Sequence, residues 1–235
     1  MAVRTARGFG QYDGVARALE RVGERWALLV VRDLLAGPRR YTDLKAGLPR
    51  IPTNILSDRL KELQEAGVVR RVPIARCGLV YELTDAGRDL APVVAALERW
   101  GWSQLGDPGD DETVTRDALA AALRAAFRAD ASEPAPARTV LRVGEVAVAV
   151  TTAGDGLDVV PIGDDALPQP LRPDAPDVET TLELDLDPSG LRALLAGEAD
   201  APGIRVSSGG PGALAAFRAR FRMRVPAADD ETVSI

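Results

Sequence analysis

The chain has 235 residues, 46% hydrophobic and 27% charged, with a formal net charge of −6, values that exclude the disordered, collagen-like and fibrous classes. It holds no histidine and one cysteine, Cys77, which excludes histidine-based metal sites, histidine general bases, Ser-His or Cys-His nucleophile pairs and an internal disulfide framework. The charge is split, because residues 1–106 carry 17 Lys+Arg against 12 Asp+Glu while residues 107–235 carry 12 against 23, so one half suits a polyanion and the other does not.

The first half reads as short helices closed by a hairpin. Apolar residues recur at helical spacing over residues 15–22 and 26–35, with Trp26 as a core side chain, and Gly37-Pro38 stops the second helix. Thr42 is placed to cap a short third helix, TDLKAGL, which Pro49 ends. Thr53 opens a fourth, TNILSDRLKELQEAG, in which Leu56, Leu60 and Leu63 share one face and Gly67 marks the stop. Residues 68–72 and 79–83 are β-prone runs joined by a turn over residues 73–78, a two-stranded ribbon. Thr84-Asp85 then caps a long amphipathic helix through residue 105, bearing Leu90, Val93, Val94, Leu97, Trp100 and Trp102.

Helices followed by a basic hairpin is the order of a winged helix-turn-helix domain. A helix enters the ~12 Å major groove only if its outward face carries short polar and cationic groups while its inward leucines fix it to the scaffold. Thr53, Asn54, Ser57, Asp58 and Lys61 occupy that outward face. Arg70, Arg71 and Arg76 lie on or beside the wing, where guanidinium groups can grip phosphate or enter the minor groove. Arg39, Arg40 and Arg50 are further candidates for contact with DNA, Arg50 because it stands just ahead of the outward-facing helix. Trp100 and Trp102, aromatics beyond what so small a domain can bury, are assigned to a dimer interface.

The stretch GDPGDDE, residues 106–112, combines turn formers and acids where the charge changes sign. It sets the expected domains: residues 1–106 for DNA binding and dimerisation, residues 112–225 for a second domain, and residues 226–235 as an acidic flexible tail. In the second domain residues 114–128, 188–197 and 211–221 read as helices. Residues 139–143, 146–151, 157–162, 178–186 and 204–207 read as strands, with a Pro-rich loop over residues 167–176. The expected fold class is α+β, the second domain carrying an antiparallel sheet flanked by helices.

The run VARALERVGERWALLVVRDLLAGPRRYTDLKAGLPRIPTNILSDRLKELQEAGVVRR followed by VYELTDAG resembles the HxlR-type branch of the MarR-like winged-helix transcriptional regulators, over about residues 12–105. The resemblance implies a homodimer that binds double-stranded DNA, with the helix from Thr53 as the recognition helix; the two-fold symmetry matches a palindromic operator. Members of that family often carry a Cys-Pro before VARAL as a redox or electrophile sensor. Asp13-Gly14 stands there in this chain, so thiol sensing at that position is not available.

The run VETTLELDLDPSGLRALLAGEADAPGIRVSSGGPGALAAFRARF resembles a sterol carrier protein-type domain, with about residues 112–224 covered. That implies a hydrophobic tunnel open to fatty acyl, sterol or similar apolar ligands, to which Phe127, Leu195, Phe217 and Phe221 are assigned. The combined expectation is a transcriptional regulator, a repressor in mode, controlled by an apolar small molecule. The start MAVRTARGFGQYDG lacks an apolar h-region and no apolar run reaches ~18 residues, so the expected place is the cytoplasm, with no membrane partner. No catalytic residue, metal or cofactor is expected, since a GxSxG elbow and a P-loop are missing as well. The alternative is a lipid or hydrophobic small-molecule carrier, against which the ordered series of winged-helix motifs counts.

Overall fold

The apolar spacing of the first half builds four helices, α1 (Gly14–Val22), α2 (Ala27–Leu35), α3 (Tyr41–Gly47) and α4 (Thr53–Glu65). The computed structural model describes residues 8–74, 78–109, 111–129, 135–163, 178–198 and 201–223. The Pro-rich loop, Arg76, Cys77 and the tail at 226–235 lie outside the described residues. Asp13 caps α1 by accepting hydrogen bonds from the amides of Val15 (2.8 Å) and Ala16 (3.1 Å), a contribution of about 1 kcal/mol. Trp26 falls outside α2: it is the N-cap, in the left-handed region (φ 78°), partly buried against the core, with the Arg25 guanidinium 5.3 Å from its ring. The start of α3 is held by the Asp43 carboxylate, which accepts from the Arg40 amide at 2.8 Å, rather than by Thr42.

The wing follows. β1 (Val69–Ile74) and β2 (Gly78–Leu83) pair antiparallel with Val69 opposite Leu83 and Val72 opposite Val80. Thr84 closes the hairpin by donating from Oγ1 to the Gly67 carbonyl and accepting from the Gly87 amide, which caps α5 (Asp85–Arg88). A Cβ at Gly87 would lie 2.2 Å from the Val68 carbonyl oxygen, so this close approach requires glycine. The Arg88 guanidinium, hydrogen-bonded to Asp85, holds that carboxyl below the usual carboxylate range. The single helix expected from Thr84 to residue 105 is broken, α6 (Ala91–Trp102) starting anew after Asp89-Leu90. Pro92 supplies the reason, since it has no amide hydrogen and its ring would clash with the carbonyl of residue 88.

The described residues form two compact units, the division between them falling after Val94, inside α6. Val94 is buried in the first core, with Val31, Leu44, Leu56, Leu60 and Leu63, whereas Trp102 is buried in the second.

The second unit continues with α7 (Arg116–Ala126), β3 (Ala137–Val143), β4 (Val146–Ala153), β5 (Gly156–Ile162), β6 (Thr180–Leu186), α8 (Pro188–Ala196), β7 (Ile204–Ser208) and α9 (Pro211–Arg220). The sheet order is β5-β4-β3-β6-β7. Gly144 (φ 58°) and Gly154 (φ 55°) each take the first of two turn positions, where positive φ is needed, and so make β3-β4-β5 a meander of tight hairpins. The sheet is mixed, not antiparallel as expected: β6 lies parallel to β3, the other neighbours being antiparallel. Residues 163–179 separate β5 from β6, a connection long enough for the chain to return in the same direction as β3. Leu119 and Leu123 of α7, Leu191 and Leu194 of α8 and Phe217 of α9 pack with Leu141, Val148 and Leu184 of the sheet in one core.

Candidate nucleic-acid interface

The turn before α4 is fixed from two sides. Lys45 Nζ donates to the carbonyls of Ile51 (2.8 Å) and Pro49 (3.4 Å), and the Ile51 side chain is buried. Helix α4 therefore starts from a clamped position, with Pro52 at the N-cap, where its missing amide costs nothing. Leu56, Leu60 and Leu63 are buried along one side, and Thr53, Asn54, Ser57, Asp58 and Lys61 are exposed along the other. At 3.6 residues per turn Thr53, Ser57 and Lys61 form one outward row, beside which stand Asn54 and Asp58.

Tyr41, not singled out from the sequence, orders this row. Its hydroxyl donates to the Thr53 carbonyl at 2.8 Å and lies 3.3 Å from Ser57 Oγ, which itself donates to the Thr53 carbonyl at 3.1 Å. Arg59 was also missed. Buried on the far side of α4, it pairs with Glu62 and approaches Glu24 at 3.9 Å, tying the helix to the segment between α1 and α2. Lys61 makes only a loose pair with Glu65, 3.8 Å apart and exposed. Such exposed pairs contribute about 0–1 kcal/mol.

On the wing, Arg70 is exposed but committed: its Nε donates to Glu82 Oε1 at 2.6 Å across the ribbon and Nη2 reaches the same oxygen. Arg71 is exposed and its guanidinium stands 5.7 Å from the Tyr81 ring. Arg76, the third wing arginine, lies outside the described residues. Arg50 is exposed two residues ahead of Pro52, whereas Arg40 is half-buried at the start of α3. Arg39 departs from its expected role on the DNA face. Its backbone pairs with Tyr81 in both directions (2.9 and 2.7 Å), which draws the side chain in to 7% exposure, with Nη1 on the Pro38 carbonyl.

The tryptophan pair parts. Trp100 is 68% exposed, but Trp102 is 7% exposed within the core of the second unit and presents no face to a partner. On a helix the two indoles point ~200° apart, so burying one turns the other outward. The structure brings the four residues assigned to a ligand together, as packed side chains. Phe217 and Phe221 stack at 4.4 Å, Phe127 lies 5.5 Å from Phe221, and Leu195 is wholly buried, with its carbonyl accepting from the Met223 amide at 2.7 Å. None of them borders the open depression of about 320 Å³ lined by Asp185, Leu186, Asp187, Gly203, Ile204 and Arg205.

Residues 21–108 match the HxlR-like helix-turn-helix family. The HTH-type transcriptional regulator YvaP of Bacillus subtilis is 38% identical over 86 residues, which are 36% of this chain and 80% of the relative. The chain belongs to the HxlR-like helix-turn-helix family of transcriptional regulators. A second relative, YodB of Bacillus subtilis, is 33% identical over 95 residues, 40% of this chain and 84% of its own. Rv3095 of Mycobacterium tuberculosis is 44% identical over 98 residues, but these are 41% of this chain and 61% of the relative, so the chain spans less than two thirds of that protein's length. The solved structure of reduced YodB shares 29% identity, covering 43% of this chain and all of that one, at a TM-score of 0.36.

The HxlR-like relatives are transcriptional regulators, not enzymes, and membership implies a DNA partner. Among the described residues no helix is long and apolar enough to cross a membrane, and no cluster of cysteine and acidic side chains is placed to hold a metal ion.

Proposed function

We propose that this HxlR-like protein is a cytoplasmic repressor that binds a palindromic operator as a homodimer and is controlled by an apolar small molecule taken up in the second unit. The observation that carries the DNA reading is α4 itself, a helix buried on one side through Leu56, Leu60 and Leu63 and exposed on the other through Thr53, Asn54, Ser57 and Lys61. Those four are the short polar and cationic groups that read base edges in the major groove. Arg50 and Arg71, exposed on either side in sequence, supply phosphate contacts; Arg70 joins them on exchanging Glu82 for DNA.

The dimer reading rests on α6, where Val93, Leu97 and Trp100 recur at helical spacing and are all exposed. An apolar stripe of this kind on a charged surface is a partner-binding feature. A second copy is the partner that a two-fold operator requires.

The ligand reading rests on chain order and on the missing thiol. β6, the Pro-initiated α8, β7 and α9 follow in the order that the sterol-carrier resemblance implies. YodB is a relative with a quinone-bound crystal form, but Asp13 of this chain is occupied in capping α1, and an effector must enter elsewhere. An electrophoretic mobility assay on DNA upstream of the protein's own gene tests the function. A discrete shifted band that survives excess non-specific DNA is expected; a smear that such competitor abolishes would count against operator binding.

A further inference from the structure

Three oxygens meet at the start of the outward row of α4. The Tyr41 hydroxyl lies 2.8 Å from the Thr53 carbonyl and 3.3 Å from Ser57 Oγ, and Ser57 Oγ lies 3.1 Å from the same carbonyl. The carbonyl has no proton to give, so the two hydroxyl protons decide what the cluster shows to the outside. Tyr41 has the carbonyl or Ser57 to donate to, and Ser57 has the carbonyl or Tyr41. In each arrangement both protons stay inside the triangle. Ser57 is exposed on the open side of the helix, and what it turns outward is therefore lone pairs.

This sets Ser57 apart from its neighbours. Lys61, one helical turn on, carries donors only, and the Asn54 amide carries both a donor and an acceptor. In the major groove the amino groups of adenine (N6) and cytosine (N4) are donors, whereas guanine O6 and thymine O4 are acceptors. An acceptor held toward the groove meets a donor on adenine or cytosine and opposing lone pairs on guanine or thymine. To serve a keto oxygen, Ser57 has to turn its proton out of the triangle and give up an internal hydrogen bond, a loss of about fivefold in affinity.

We propose that Ser57 is a specificity-determining acceptor that selects an amino base, adenine or cytosine, over a keto base, guanine or thymine, at one position on the strand it faces. Tyr41 and the Thr53 carbonyl hold it in that role. The proposal rests on the reading of α4 as the helix that enters the major groove. It adds the chemical class of base edge that this residue recognises. Asn54 leaves a different signature, since a side-chain amide fits adenine alone.

The test uses the full chain and an operator selected from genomic fragments, each base pair being replaced in turn by the other three, with affinities read by fluorescence anisotropy at one salt concentration. One position should bind with adenine or cytosine about fivefold more tightly than with guanine or thymine. Ser57→Ala, at an exposed helical position that alanine suits, should abolish that grouping, and Ser57→Thr, which retains the hydroxyl, should keep it. With adenine at that position, exchanging it for purine, which lacks only the 6-amino group, should weaken the wild-type chain about fivefold and leave Ser57→Ala unchanged. If no position groups adenine with cytosine, or if the grouping survives in Ser57→Ala, the role of Ser57 is overturned while base reading by α4 stands. The same affinity for every replacement at every position would overturn the reading of α4 itself, and the role of Ser57 with it.

Discussion

Asn54 and Ser57 stand one helical turn apart on the open side of α4, with Ser57 held by Tyr41 and the Thr53 carbonyl while the Asn54 amide is exposed to meet a base edge. Asn54→Ala should cost ~1–3 kcal/mol of operator binding and relax base preference. Its affinity for random DNA, measured in parallel by fluorescence anisotropy, should hold; equal losses on both would make Asn54 a phosphate contact. Tyr41→Phe removes the hydroxyl that orders the row and should cost about 1 kcal/mol in the same assay. Arg39→Ala should behave differently, lowering the melting temperature without changing the salt dependence of DNA binding, because the side chain is buried behind the wing. The outward row was legible from sequence since the leucine spacing fixes its complement. Arg39 was not, because what buries it is a backbone bridge to Tyr81, a residue far along the chain. The burial of Arg59 is hidden for a related reason: it comes from ion pairs with Glu62 and Glu24, which the leucine spacing does not encode.

At the level of elements, the wing gives the clearest prediction. Each phosphate contact released on mutation flattens the slope of log affinity against log salt by ~0.9. Arg70→Ala with Arg71→Ala should therefore flatten it by up to about twice that amount per subunit, and an unchanged slope would place the wing off the DNA backbone. Arg71 should account for more of the effect, because Arg70 must first give up Glu82. Element order in the first unit could be read from periodicity, stop signals and a turn-rich hairpin. The break between α5 and α6 lay in plain view at Pro92, but the amphipathic pattern on both sides of it runs on as though the helix were continuous. In the second unit the strands were legible and one pairing direction was not. Short glycine turns dictate antiparallel neighbours, whereas a connection over residues 163–179 leaves both directions open until β6 is seen beside β3.

For the whole molecule, assembly and DNA recognition are one question, since a two-fold dimer brings two copies of α4 to one face of a duplex. Trp100→Glu should give a folded chain that sediments as a monomer and binds DNA weakly, while Trp102→Glu should unfold the second unit, because it buries a charge in an apolar core. A wild-type chain that sediments as a monomer would remove the dimer from the account. The most direct test of the central claim is an anisotropy titration of the full chain at fixed near-physiological salt, on an operator selected from genomic fragments and on a shuffled duplex of equal length and composition. A preference of at least ~10³ for the operator is expected, lost in large part in Asn54→Ala. Equal affinity for the two duplexes, or a preference untouched by Asn54→Ala, would contradict it.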